Sequence, residues 1–306
     1  MTYAVAALYK FVDLPDFREI QKPLLNACQE NEIIGTLLLA PEGINGTIAG
    51  PEEGMKIILD WLRNDSRFED LEIKHSHASE KPFHRMKVKL KKEIITLGVE
   101  DTNPSEKTGV LVQPADWNAL IEDPDVFVLD TRNTYETHIG TFENAVDPKT
   151  ECFTEIKDYI SENLEDKKDK KIAMFCTGGI RCEKLSSHML NNGYENIYQL
   201  HGGILKYLEE IPEDKSLWKG DCFVFDHRVS VGHGLKEGEH VRCHGCGHPL
   251  DSEDCQQPSY EEGVCCPYCY ENPDPVRVKA LRERQKQMKL AKSRGVDHIG
   301  VKMPRG

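Results

Sequence analysis

Between the apolar run Lys171-Ile-Ala-Met-Phe175 and a helix-patterned stretch lies the hexapeptide Cys176-Thr177-Gly178-Gly179-Ile180-Arg181. A short apolar strand that passes through a glycine turn into a helix is a βα unit, and such units assemble into a parallel sheet covered on both faces. The surrounding pattern repeats the theme. A helix begins at about Asp116, an apolar strand over residues 126–129 ends in Asp130, and a polar helix spans 150–163. After the strand at 171–175 and the cysteine loop come a helix over about 182–192, a short strand at 197–200, and Gly202-Gly203. Ligands of such sheets gather at the carboxyl ends of the strands, where Asp130 and Cys176 fall.

A thiol is a nucleophile only as the thiolate, and converging backbone N–H groups at a helix amino terminus favour that anion. Gly178 and Gly179 remove side chains, so the backbone can curl into a nest around the sulfur, and Arg181 adds fixed positive charge. Cys176 is therefore read as the reactive residue, cradled by Thr177, Gly178, Gly179, Ile180 and Arg181. Loop size narrows the chemistry. A cysteine phosphatase needs about five residues between Cys and Arg to encircle a phosphate, whereas here four intervene. The tighter loop suits a terminal sulfur atom. Asp130 and Arg132 are auxiliary candidates, with an ion pair that orients the loop as the favoured role.

The rest of the 306-residue chain is too long for one core and divides into further parts. Residues 1–98 read as β-α-β-β-α-β, with strands at 3–11, 33–40 and 46–49, helices at 14–31 and 51–64, and a final strand or strand pair within 71–75 and 86–97. That order predicts a ferredoxin-like split unit. The second helix opens on Pro51 followed by Glu52 and Glu53, which suit a helix start, and carries Met55, Ile58, Leu59 and Leu62 at helical spacing. Residues 99–115, polar with two prolines, read as a linker; 116–212 form the parallel-sheet domain, 213–275 a cysteine-rich segment, and 276–306 a basic tail. The fold class is thus α/β and α+β multidomain. With no apolar run long enough to span a bilayer and no secretory pattern at the start, the expected location is the cytoplasm.

Eleven cysteines in a cytoplasmic chain point to thiolate and metal chemistry rather than disulfides. Cys243-x-x-Cys246 and Cys266-x-x-Cys269 are separated by 19 residues, the spacing of two knuckles closing one tetrahedral structural zinc site. Cys265, Cys255, His244 and His248 remain open as substitutes for one ligand. Net charge is −13, yet residues 276–306 hold ten Lys/Arg against Glu283 and Asp297. That helix-permissive tail, with Arg277, Lys279, Arg282 and Arg284, and a second basic stretch containing Lys74, Arg85, Lys87 and Lys89, are candidate RNA-binding surfaces. Their competing reading is an ordinary solvated face.

The Cys176 loop, the upstream Asp130-Thr131-Arg132-Asn133 with Glu136, and the downstream Leu200-His201-Gly202-Gly203 together resemble a rhodanese domain over about residues 110–212. The resemblance implies a persulfide on Cys176. Cys182, directly after the loop, is a departure that either resolves such a persulfide, closes a disulfide with Cys176, or stands idle at the helix start. Four segments carry a wider likeness: residues 40–47, 82–89, 176–182 and 218–226, reading APEGINGT, PFHRMKVK, CTGGIRC and WKGDCFVFD. They are similar to the oxygen-dependent tRNA uridine hydroxylases, a rhodanese-domain family, along nearly the whole chain. That likeness implies hydroxylation of the wobble uridine of tRNA to 5-hydroxyuridine, with molecular oxygen as co-substrate and Cys176 as the active cysteine. It implies tRNA as partner, and a persulfide calls for a sulfur-donor protein. The residues show neither facial-triad spacing nor an NAD or flavin glycine motif. Competing readings are a sulfurtransferase that passes sulfane sulfur from Cys176 to tRNA or a protein, and a non-catalytic RNA-binding module.

Overall fold

In the computed structural model, which describes residues 2–99, 102–271 and 274–295, the amino-terminal part is a five-stranded sheet with two helices on one face. Its elements are β1 (Tyr3–Phe11), α1 (Phe17–Glu30), β2 (Ile34–Ala40), β3 (Gly43–Gly50), α2 (Glu52–Arg63), β4 (Ile73–Ala78) and β5 (Met86–Leu90). The strand order β4-β1-β3-β2-β5 is the ferredoxin-like arrangement plus an edge strand, β5, that runs parallel to β2. Alternation along each strand divides the sheet into two faces. Ala4, Ala6, Leu8, Leu37, Leu39, Ile44 and Ile48 pack under α1 and α2, with Met55, Ile58, Leu59 and Leu62 supplying the buried stripe of α2. The opposite face carries Ala7, Tyr9, Thr36, Leu38, Asn45, Thr47, Lys74 and, on β5, Lys87 and Lys89, as the strand registers require. No helix of the amino-terminal part covers that second face among the described residues. It is turned toward the next domain.

The central domain is a four-stranded parallel sheet in the order β6-β10-β9-β7. It comprises β6 (Val110–Val112), α3 (Pro114–Ile121), β7 (Val126–Asp130), α4 (Thr134–Thr137), β8 (Gly140–Phe142), α5 (Ile156–Asn163), β9 (Lys171–Phe175), α6 (Ile180–Asn191), β10 (Asn196–Leu200) and α7 (Gly203–Glu210). Two expectations shift. Residues 110–112, read as linker, form the edge strand beside β10, because three residues are too short to show a period yet suffice to extend a ladder. The polar helix expected from residue 150 starts only at Ile156, after a single 3₁₀ turn over Phe153–Glu155. On one side of the sheet Trp117, Phe142, Phe175, Tyr207 and Trp218 meet edge to face at ring-centroid distances of 4.7–6.4 Å.

The described carboxyl-terminal part holds one short strand, two short strand pairs and an α-helix. Its first strand, β11 (Trp218–Gly220), pairs with β8 and so completes the central domain rather than a separate one. β12 (Cys222–Phe223) pairs with β13 (Ser230–Val231), and β14 (Val241–Arg242) with β15 (Pro249–Leu250). The basic helix α8 (Pro275–Ser293) is capped by the Asp274 side chain, which accepts from the Val276 amide. Of the basic tail, residues 296–306 lie outside the described residues. Among the described residues no helix is long and apolar enough to cross a membrane.

Candidate active site

The chain leaves β9, turns at Cys176 and enters α6 with Gly179 at φ 100°, a left-handed conformation that favours glycine. The turn aims backbone N–H groups at the sulfur, and the Gly179 amide donates to Cys176 Sγ at 3.1 Å. The loop after β10 seals it from behind. Ile204 N–H donates to Cys176 O and Leu205 N–H to Thr177 O, and a Cβ on Gly203 would fall within 2.7 Å of Cys176 O, Gly179 N and Thr177 O. This close approach explains the second glycine of Gly202-Gly203. Burial pushes the Cys176 thiol up, but a hydrogen bond from the Cys182 thiol, the Arg181 charge and the Cys182 and Arg181 backbone amides outweigh it. The net effect holds Cys176 well below the usual thiol range. Cys182 shifts the other way, raised by burial and by its neighbour's negative charge, and remains the proton-bearing member of the pair.

Two buried ion pairs fix the loop. Arg181 Nη1 and Nη2 lie 2.5 and 2.8 Å from the two oxygens of Glu136, whose Oε2 also accepts from Thr177 Oγ1 at 3.2 Å. Glu136 in turn accepts from the Asn133 amide in a capping box that starts α4. The Arg181 guanidinium is thus braced sideways rather than standing free over the sulfur. Arg132 and Asp130 are both completely buried and paired, at 2.5 Å between Nη2 and Oδ2. Arg132 also donates to the carbonyls of Glu136 and Gly140 and lies 5.0 Å from the Trp218 ring centroid. The pair joins β7, α4 and β11 and turns no charge toward the cavity.

The amino-terminal sheet docks on this loop through polar contacts. Tyr9 Oη donates to Glu183 Oε2 at 2.8 Å, and Gly179 leaves room for that tyrosine, since a Cβ there would lie 2.8 Å from its hydroxyl. One turn further along α6, buried Lys184 donates to both oxygens of Glu42, to Glu93 Oε2 and to Ile95 O at 2.6–3.0 Å. Glu42 sits in the β2–β3 turn and also accepts from the Ile94 amide. Lys184→Ala would leave two carboxylates facing each other without their cation, and is expected to cost about 3 kcal/mol, read as a lowered thermal midpoint; a cost below about 1 kcal/mol would contradict the ion cluster's role. Burial pushes Glu93 up, but Lys184 and the Leu97 amide outweigh it and hold the carboxyl below its ordinary range. A depressed folded pKa gives stabilisation that is complete above the unfolded value and lost as pH falls through the folded one, so domain docking weakens in acid.

Between the Cys176 loop, the uncovered sheet face and the 224–235 segment lies a cavity of about 400 Å³. Cys176, Thr177, Gly178 and Arg181 line one wall, Tyr9, Asn45, Thr47 and Lys74 another, and Phe225, Asp226 and Arg228 a third. Arg228 closes the third wall by pairing with Asp226 and donating to Ser76 Oγ and the His77 carbonyl on β4.

The four cysteines of the two knuckles converge. The Sγ atoms of Cys243, Cys246, Cys266 and Cys269 lie within 4.8 Å of one another, with separations of 3.6–3.9 Å for three of the pairs. Tetrahedral coordination at about 2.3 Å per Zn–S bond requires S···S distances of roughly 3.8 Å. At Gly245 a Cβ would meet Val264 O at 2.4 Å and two of the sulfurs at 3.3 and 3.4 Å, so the first knuckle curls too tightly for a side chain. Cys265, a possible substitute, instead donates to Ser259 O, and Cys255 packs in the small core beneath. The cluster leans on α4. His248 stacks on Tyr268 at 4.5 Å, and Tyr268 Oη lies 2.8 Å from His138 Nε2.

The remaining candidates scatter. Lys74, grouped with the surface stretch by its neighbours in sequence, is buried, because it occupies the inward side of β4. Lys89 and Arg85 are exposed and Lys87 half-buried on β5. Arg277, Lys279 and Arg282 are exposed on α8, with Arg282 bound to Glu261 at 2.6 Å. Sequence reasoning passed over Tyr9, Glu42 and Lys184. Their signal lies in which sheet face and helix turn they occupy, which only the docking of two domains makes visible.

Two family models match the chain, a UPF0176 acylphosphatase-like domain over residues 3–94 and a rhodanese-like domain over residues 113–210. A tRNA uridine(34) hydroxylase of Teredinibacter turnerae is 55% identical over 298 residues, 97% of this chain and 93% of that protein. One of Rhizobium etli is 55% identical, covering 97% and 96%. Among solved structures, a rhodanese-like domain protein of Staphylococcus aureus aligns at 25% identity over 32% of this chain and 90% of that one, with a TM-score of 0.27. Identity at this level over both domains, the cysteine loop and the carboxyl-terminal part places the chain in the tRNA uridine(34) hydroxylase family.

Proposed function

We propose that the protein hydroxylates C5 of uridine 34 in tRNA with molecular oxygen, and that Cys176 is the nucleophile. The observation that carries the assignment is a cysteine held toward its thiolate on the wall of a cavity large enough for one nucleotide base. C6 of a uracil ring is an electrophilic carbon conjugated to the C4 carbonyl. Addition of the Cys176 sulfur, or of the terminal sulfur of its persulfide, forms an S–C6 bond and moves the C5–C6 π pair toward C5 and O4. C5 then becomes the nucleophilic carbon that dioxygen chemistry requires. Loss of the C5 proton and departure of sulfur restore the ring. Overall, a C5–H bond, dioxygen and two thiols give C5–OH, water and a disulfide. Cys182, hydrogen-bonded to Cys176, would be one of those thiols. A persulfide form would be loaded by a sulfur-donor protein.

Other parts of the chain hold the substrate and the frame. Arg85 just before β5, Lys87 and Lys89 on it, and Arg277, Lys279 and Arg284 on α8 offer positive charge to tRNA phosphates. Cys243, Cys246, Cys266 and Cys269 would hold a structural zinc ion with no open position, which ties together a segment with little core of its own. The test is nucleoside mass spectrometry of tRNA incubated with purified protein in air and under nitrogen. 5-Hydroxyuridine is expected only in air. Thiosulfate turnover with no nucleoside product would replace this reading with a sulfurtransferase.

A further inference from the structure

Lys74 lines the cavity with a buried amine for which the described residues supply no hydrogen-bond acceptor. Its Cα pairs with that of Ala7 across the β1–β4 ladder, so its side chain rises from the uncovered sheet face toward the Cys176 loop. It is 7% exposed, and its Nζ has no hydrogen-bond acceptor among the described residues. Partial compensation comes from the Tyr9 ring, 4.7 Å from Nζ to the centroid, and through space from the charges of Glu72, Cys176 and Glu183. A buried amine without an acceptor lowers stability, since desolvation is not repaid by hydrogen bonds. Lys184, with four acceptor contacts on the neighbouring surface, shows what a structural lysine looks like in the same interface.

We propose that the cavity is the pocket for the reacting pyrimidine and that Lys74 is its polar anchor, donating through Nζ to the C4 carbonyl oxygen of uracil; this rests on Cys176 being the reacting cysteine. When sulfur adds to C6, negative charge develops on that same oxygen, so a donor aimed there strengthens its bond in the transition state. The anchor also selects the base. Cytosine presents an amino group at C4, and two donors would face each other in a site shielded from water. Aromatic rings for stacking stand on adjoining walls in Tyr9, Tyr135 and Phe225. The phosphates of the same nucleotide remain outside, toward half-buried Lys87 and exposed Lys89 of β5.

The experiment compares full-length wild type, Lys74→Met and Cys176→Ser on an unmodified tRNA transcript. It measures kcat and KM for hydroxylation, the thermal midpoint, and alkylation of Cys176 by iodoacetamide. For Lys74→Met, kcat is expected to fall about 100-fold or more, as for loss of one oxyanion donor, with KM for tRNA within about threefold because phosphate contacts dominate affinity. The midpoint should stay level or rise, and Cys176 alkylation should persist. A merely structural lysine would lower the midpoint in step with activity, and that result overturns the anchor. So does a kcat within about threefold of wild type beside an inactive Cys176→Ser. Full activity in Cys176→Ser would instead remove the reading on which the anchor rests.

Discussion

Cys176→Ser is expected to reduce 5-hydroxyuridine formation by at least about 1,000-fold while tRNA affinity stays within about twofold. Oxygen is smaller than sulfur and makes no new clash, so the nest still closes around it. Serine fails for an electronic reason. Against the upward push of burial, the hydrogen bond from Cys182, the Arg181 charge and the backbone amides bring a thiol below its ordinary range, but the far weaker acidity of an alcohol leaves it protonated in the same surroundings. Affinity is spared because charge on β5 and α8 lies outside the sulfur nest. Nucleoside mass spectrometry and a filter-binding titration on the same preparation separate the two effects.

Chelation of the zinc proposed for the four cysteines, or Cys246→Ser, should unfold the knuckle segment. The core under the cysteines consists of Cys243, Leu250 and Cys266 with Cys255, Tyr260 and Cys269 against them, so half of it is the ligands themselves. A structural zinc site contributes roughly 10–16 kcal/mol of apparent binding energy, comparable to the whole stability of a domain, about 5–15 kcal/mol. No apolar packing of this size replaces it. Limited proteolysis mapped by mass spectrometry should show cleavage within residues 241–270 on chelation, with about one zinc per chain in the untreated protein. Activity should fall with it, because His248 and Tyr268 pack against Tyr135 and His138 around α4, the helix that carries Glu136. Unchanged protection in chelator would contradict the assignment.

What could be read from the chain follows from how local each signal is. The βα units were visible because β9 and the helices beside it are continuous and periodic, and the Cys176 nest because four residues fix its geometry. The cysteine knuckles were visible because ligand spacing is a property of the chain alone. The role of Lys74 was not. In sequence it belongs to a run of cations, and only the β1–β4 register, with Ala7 opposite, turns it inward. Lys184 and Glu42 were likewise silent, since their pairing spans 142 positions and exists only once two domains meet. Arg132 and Asp130 were placed near the site by strand position and prove to be wholly enclosed bracing. Residues 110–112 were assigned to a linker because an edge strand of three residues carries no period of its own.

The central claim is that oxygen reaches C5 of uridine 34 at the Cys176 wall of the interdomain cavity. Its most direct measurement is the mass of the nucleoside product after incubation of tRNA and the purified chain under oxygen-18 gas in ordinary water. The account predicts 5-hydroxyuridine carrying the heavy oxygen with the wild type and none with Cys176→Ser. Product whose hydroxyl oxygen comes from water, or labelled product from the serine variant, would contradict it.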